Sequence, residues 1–323
     1  LMMNRRELLK SFAGLAGSAA LGGALAWDAR ASDAPAKPSI PPVIDFDHNK
    51  AELQPISKNL YLLAGLGGNI LVLTGSSETL IVDSGIPPRS KDIAEAIAGV
   101  SPHPITTLVN THWHFDHTGG NAFLAGGGAH IIGHTNVRKR LSHPEVIELM
   151  HAKFPAQPRA AWPVETFTSA KTIRKNGEVL RLQHFAPAHT DSDSLVHFRH
   201  ANVIHTGDVF FNGFYPFIDY SSGGWIGGMI AGLDRVLALA DAHTKIIPGH
   251  GPLAGRAEVQ RSRDMLATVR RRIEPMVHAG KTADQVVAAK PTHDLDAKWG
   301  GVVLSGDLFT RDVYEGLKRL SSR

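Results

Sequence analysis

His112-Trp113-His114-Phe115-Asp116-His117 places four side chains able to ligate a metal within six positions. In an extended segment alternate side chains share a face, so His112 and His114 converge while Trp113 points elsewhere. Adjacent residues diverge. A turn after Phe115 therefore aims Asp116 and His117 at a neighbouring metal, and the stretch reads as two half-sites. Imidazole with carboxylate suits zinc first, with iron or manganese also compatible. Upstream, Ile105 to Asn110 has the composition of a buried strand, and downstream Thr118-Gly119-Gly120-Asn121 reads as a turn into a short helix. The cluster thus stands where a strand ends, a common ligand position in α/β folds. Composition alone would produce roughly 0.003 such matches in a chain of this length, the alternative being a turn of solvated histidines.

Three later segments can complete the coordination: Pro187-Ala188-His189-Thr190-Asp191-Ser192, Thr206-Gly207-Asp208-Val209 and Pro248-Gly249-His250-Gly251-Pro252. Each sets its His or Asp just after an apolar run, which predicts four strand ends meeting on one rim.

In order and approximate spacing these residues resemble the pattern of the metallo-β-lactamase superfamily, from roughly Asn59 to Gly251. The lead-in Leu80-Ile81-Val82-Asp83-Ser84-Gly85 is similar to that family's turn at a strand end. The resemblance implies an α/β fold, an αβ/βα four-layer sandwich of the metallo-β-lactamase type, here followed by a short helical C-terminal tail. It implies that His112, His114 and His189 hold one metal, that Asp116, His117 and His250 hold the other, and that Asp208 bridges them. The cofactor implied is a pair of zinc ions, with iron or manganese as other occupants. In such sites a metal-bridging hydroxide attacks the substrate while its oxygen is polarised, and Asp116 is the catalytic residue that orients the water or moves its proton. Asp83 would accept a proton from a ligand imidazole and fix its tautomer, although Asp-Ser-Gly is also an ordinary turn sequence.

Position 208 separates branches of the superfamily. The best-studied zinc β-lactamases resemble this chain but carry cysteine there, and this chain contains no cysteine at all. Asp208 with His117 looks instead like glyoxalase II, the lactonases and related hydrolases. Flavodiiron oxidoreductases usually carry Glu where this chain has His114. Lactonases acting on acyl-homoserine lactones have Tyr where this chain has Phe211, so Tyr215 or Tyr220 would have to supply an oxyanion donor, as could Asn212. Substrate selection is assigned to two rim loops, Ser142 to Thr166 and Phe210 to Gly228. The first is proline-rich with Phe154 and Trp162 expected to be exposed, and the second is rich in aromatics.

The expected activity is zinc-dependent hydrolysis of a small ester, thioester, lactone or lactam. The alternatives are a dedicated or promiscuous metallo-β-lactamase, a single-iron redox or persulfide-handling enzyme, and a non-catalytic zinc-binding protein.

Asn4-Arg5-Arg6-Glu7-Leu8-Leu9-Lys10 and the Gly/Ala-rich apolar run from Ser11 to Trp27 resemble a twin-arginine export signal, with Ala29-Arg30-Ala31 as the cleavage site. Residues 1–31 are read as that signal, 32–47 as a linker and 48–323 as one hydrolase domain. The expected partners are a small-molecule substrate and the twin-arginine export machinery. The expected location is periplasmic or secreted. The apolar run is too short and too weakly hydrophobic for a stable membrane anchor. The formal charge of +4 is reduced when Arg5, Arg6, Lys10 and Arg30 leave together with Glu7 and Asp28. No nucleic-acid footprint remains, because Arg270-Arg271-Arg272 reads as a solvated helix face. Strands are predicted at Leu60 to Ala64, Ile70 to Thr74 and Thr79 to Asp83, and a helix at Lys91 to Ala98. The second half should carry hairpins from Thr172 to Phe185 and Ser194 to Val209, then a helix from about Trp225 to Ala240. The tail from Gly255 should be helical, kinked near Pro275, with an apolar face on the sheet. Among the other histidines only His205 is considered as an outer support of the site.

Overall fold

A computed structural model of the protein describes residues 49–321, so the expected export signal and linker lie outside the described residues. The first sheet is built from β1 (Glu52–Ser57), β2 (Leu60–Ala64), β3 (Ile70–Thr74), β4 (Thr79–Val82), β5 (Ile105–Val109) and β6 (His130–His134). A separate hairpin, β7 (Glu145–Ile147) and β8 (Ala152–Phe154), precedes the edge strand β9 (Glu165–Phe167). Strands β1 to β4 are antiparallel, and β4, β5, β6 and β9 are parallel. Helices α1 (Ser90–Ala98), α2 (Phe115–Thr118), α3 (Asn121–Gly126) and α4 (Thr135–Leu141) belong to this half.

The second sheet runs β10 (Ala170–Lys175), β11 (Glu178–His184), β12 (Ser194–Phe198), β13 (Val203–His205) and β14 (Lys245–Ile247), the last pair parallel. Helices α5 (Ile226–Leu239), α6 (Arg256–His278), α7 (Ala283–Ala288), α8 (His293–Trp299) and α9 (Gly306–Ser321) complete the described chain. None of the described helices is long and apolar enough to cross a membrane.

The four-layer arrangement follows from alternation along the strands. Leu71, Leu73, Leu80 and Val82 point inward and meet Leu180, Leu182, Val196 and Phe198 of the second sheet. Their neighbours Ile70, Val72 and Ile81 point outward, against Ile93 and Ile97 of α1 and Leu124 of α3. On the far side, Leu195, Ile204 and Ile246 are covered by Leu233 and Val236 of α5 and Leu266 and Val269 of α6. A strand covered on both faces must be apolar throughout, which is why β3 and β4 read as continuous hydrophobic runs. The hairpin β10–β11 closes through Asn176 and Gly177 at φ 51° and 78°, the backbone of a two-residue type I′ turn.

Several expectations need correction. Strand β1 was not anticipated, because Pro55 weakens its strand signal; it is tolerated on this edge, where the register shifts after it. The first rim loop contains β7–β8, and Phe154 is buried rather than exposed, stacked on Phe115. Asp116 and His117 sit in the single-turn helix α2, not in a bare turn. Helix α9 packs chiefly on α6 and α7 rather than on the sheet.

The two parallel pairs position the site. β4 and β5 end together at Val82 and Val109, and β13 and β14 end together at His205 and Ile247. The chain beyond each of these ends carries a functional side chain.

Candidate metal centre

His112 follows the end of β5, His114 stands at the N-terminus of α2, and Asp116 and His117 lie within it. His189 comes from the connection between β11 and β12, Asp208 from the short turn after β13, and His250 from the loop after β14. The structure gathers these seven into two groups, His112, His114, His189 and Asp208, and Asp116, His117 and His250. Within each group one ligand atom per residue lies within 4.8 Å of the others. Asp208 stands between the groups. Its Oδ2 is 3.5 Å from His189 Nε2 and 3.5 Å from His250 Nε2, and its Oδ1 is 3.0 Å from His117 Nε2.

Hydrogen bonds behind the ligands decide which nitrogen faces inward. His117 Nδ1 donates to Asp83 Oδ2 at 2.8 Å. The same oxygen accepts from Thr111 Oγ1 at 2.7 Å, and Thr111 Oγ1 in turn lies 3.1 Å from His112 Nδ1. Because that hydroxyl's proton goes to Asp83, it accepts from His112, so one carboxylate sets two tautomers. His114 Nε2 donates to Asp219 Oδ2 at 3.0 Å, and His189 Nδ1 to the Phe217 carbonyl at 2.8 Å. Asp193 accepts the backbone N–H of His189 at 2.7 Å, fixing the chain that presents it. Asn69 donates to the carbonyls of Pro248 and Gly251, one on each side of His250, while its own carbonyl accepts from His205 Nε2.

These inward-facing atoms suit a cation. His114 Nδ1 and His189 Nε2 approach to 2.8 Å with both their protons engaged on the outer side. Two lone pairs so close repel unless a positive charge lies between them. Among the described residues His112 Nε2 is buried without any hydrogen-bond partner, and Asp208 Oδ1 faces the Nε2 of His117, whose proton is on Nδ1 towards Asp83, an expensive arrangement unless a ligand satisfies them. Donors of this type and number fit divalent metals, and the site is built to bind them.

The charges of the protein prepare the same outcome. Burial lowers the His112 imidazole well below its ordinary value, and with it His189, to about 4, so both present neutral lone pairs at neutral pH. Burial acts to raise the Asp116 carboxyl, but His117 and His250 outweigh it and hold it at about 2. Asp208 is likewise held well below the carboxylate range by His117 and His250 against its burial. His250 is the exception: burial acts to lower it, but Asp208 and Asp116 outweigh that and raise it to about 9, so a metal binding there must displace its proton.

Asp83, expected to accept a proton from a ligand imidazole, stands behind the ligands and is bonded to His117 Nδ1. Asn212 is engaged elsewhere: its side chain donates to Pro252 O at 2.9 Å and its backbone to His250 O at 3.0 Å, tying the loop after Asp208 to that of His250. Tyr215 requires correction. It is fully buried, stacked on Phe309 at 4.5 Å and donating to Asp296 Oδ1 at 2.9 Å, so it belongs to the core and offers no oxyanion donor. The aromatic loop divides, with Phe210 and Tyr215 in the core, Phe211 stacked on His250 at 5.3 Å and Phe217 6.0 Å from the His114 and His189 rings. Asp219 was missed. The signal available was an acidic residue in an otherwise aromatic, Gly-rich loop following a metal ligand.

Fold and site together define a metal-dependent hydrolase with two facing half-sites. The chain belongs to the metallo-beta-lactamase superfamily, whose family model matches residues 63–262. Among curated proteins it is similar to the acyl-coenzyme A thioesterase MBLAC2 of Gallus gallus, 25% identical over 218 residues, covering 61% of this chain and 77% of that protein. The Homo sapiens protein of the same name is 23% identical over 210 residues, covering 58% and 74%. Among solved structures it is similar to a metallo-beta-lactamase from Pontibacter korlensis, with TM-score 0.58 and 15% identity over 68% of this chain and 99% of that one. It is also similar to the sec-alkylsulfatase Pisa1 from Pseudomonas sp., with TM-score 0.62 and 18% identity over 82% of this chain and 50% of that one. At these identities the two solved structures speak to the fold alone.

Proposed function

We propose that this protein is a dinuclear zinc hydrolase that cleaves a small thioester or ester. The observation that carries this reading is the pair of ligand groups facing each other across Asp208, equipped with His and Asp and without cysteine. The thioester branch is favoured by the similarity to the two thioesterases. When bound, a metal pair supplies an acidified water and polarises the substrate carbonyl oxygen. Asp116, held ionised and 3.1 Å from His250 Nε2, is the group that takes the water's proton as its oxygen joins the carbonyl carbon. The C–S or C–O bond then breaks, and the proton passes from Asp116 to the departing sulfur or oxygen. Phe211 and Phe217 give the site an apolar wall against which an acyl chain can rest.

A single-iron enzyme would need only one half-site, whereas both groups here are complete and joined by one carboxylate. The test is metal content together with hydrolysis of an acyl-coenzyme A, a lactone and a chromogenic cephalosporin by one preparation. Two zinc ions and turnover of the thioester are expected. Turnover of the cephalosporin alone would move the protein to the lactam branch, and one iron without hydrolysis would overturn the reading. We further propose export through the twin-arginine route to a periplasmic location, which cell fractionation with Arg5 and Arg6 replaced by lysine would test. Retention of the exported fraction in that variant would count against it.

A further inference from the structure

The C-terminal helix places a buried carboxyl, Asp312, against the chain that backs the metal centre. Residues 217–219 form a strap behind the first half-site: the Phe217 carbonyl holds His189, and the Asp219 carboxylate holds His114. Between them, Ile218 directs its backbone N–H at Asp312 Oδ2, 2.9 Å away on α9. Asp312 is buried, and its other oxygen, Oδ1, has no hydrogen-bond partner among the described residues. A carboxyl in that position carries a cost that packing alone does not explain.

The rest of α9 is laid out to serve the same strap. Phe309 stacks on Tyr215, Asp312 holds Ile218, Gly316 lies against Gly224 and Trp225, and Arg319 stands over the Tyr220 ring at 4.9 Å. Positions 309, 312, 316 and 319 recur at helical spacing, so one face of α9 runs along the segment from Tyr215 to Trp225. The opposite half-site has no such backing from α9; His117 leans on Asp83, and His250 is held through Asn69.

We infer that Asp312 is a positioning residue for the first half-site: by fixing Ile218 it sets the Phe217 carbonyl and Asp219 carboxylate that orient His189 and His114. The inference rests on the metal-centre reading above. Burial raises the Asp312 carboxyl well above its ordinary value, against the pull of the Ile218 N–H. Asparagine keeps the shape and an acceptor oxygen for Ile218, and valine keeps only the approximate volume.

The experiment measures metal affinity by chelator competition in two backgrounds, His250→Ala, which leaves the first half-site, and His189→Ala, which leaves the second. Asp312→Val is expected to weaken the metal in the His250→Ala background about tenfold, the lower end of what outer supports of ligands supply. Affinity in the His189→Ala background should stay unchanged, and Asp312→Asn should restore the first to within about twofold. If Asp312→Val does not fold, Asp312→Ala replaces it. Equal weakening in both backgrounds, or none in either, would overturn the inference, and so would an asparagine variant as impaired as valine. If the unsubstituted chain binds no metal, the metal-centre reading itself falls. Metal bound normally by the chain but indifferent to Asp312 sinks the inference alone.

Discussion

Asp83 holds two ligands from a backbone conformation that few residues tolerate. Its φ of 64° lies in the left-handed region, which costs an L-residue about 1–2 kcal/mol, and strain of this kind collects at functional sites. Asp83→Ala should release the His117 and His112 tautomers together and weaken metal binding about 10–100-fold, as chelator competition would show. Asp116→Asn keeps the shape of a ligand but removes the base. Its kcat should fall by about 10²–10⁴, with circular dichroism unchanged; turnover at the parent rate would remove Asp116 from the mechanism. Gly249 is a steric requirement, since a Cβ there would lie 1.9 Å from Asp208 Oδ1. Gly249→Ala should displace the shared carboxylate and lower the metal content of the purified chain below two per molecule. At this scale the sequence was informative about ligands, because few side chains can serve. It was silent about Asp219, whose bond to His114 spans 105 positions and exists only after folding.

Between elements, a pair of imidazoles joining the two sheets is a contact that acid weakens. His134 at the end of β6 and His184 at the end of β11 stack at 3.6 Å between ring centroids and 5° between planes. Burial lowers both rings from their ordinary value, His184 to about 4 with the His134 ring adding to the effect. A histidine lowered on folding binds fewer protons in the native state than in the unfolded one. Its contribution to stability is therefore complete above the unfolded value near 6.5 and is lost as pH falls towards about 4. The Tm should drop by several degrees across that window, and His184→Phe, which keeps the stack without a titratable group, should flatten the decline. A slope identical in both proteins would assign the effect elsewhere. Element prediction succeeded for β2 to β5 and α5, where apolar period and length were unambiguous. It failed for the rim loops, because the β7–β8 hairpin is held by Phe154 packing beneath Phe115 rather than by its own sequence pattern.

For the molecule as a whole, the metal is expected to act as a tie between halves. The first half supplies His112, His114, Asp116 and His117, and the second supplies His189, Asp208 and His250. A ligand that binds only the native state stabilises it by mass action, about 2.7 kcal/mol at a hundredfold excess over Kd. Zinc should therefore raise the Tm of chelator-treated protein, and His250→Ala should gain less. Equal gains would mean that metal at the second half-site adds nothing to the tie, the first half-site alone joining the halves through His189 and Asp208.

The sequence by itself determined the superfamily and the seven side chains that the structure gathers into two groups, because coordination permits few residue types and α/β topology sets them at strand ends. It determined the inner and outer faces of the central strands through their alternation. Only the tertiary structure decided that Tyr215 is core, that Asn212 ties loops, and that Asp219 and Asp312 stand behind the ligands. The physical reason is that a supporting hydrogen bond has no preferred sequence spacing. It needs only a donor and an acceptor brought within about 3 Å, and that proximity is created by packing the aromatic strap between the site and the C-terminal helix.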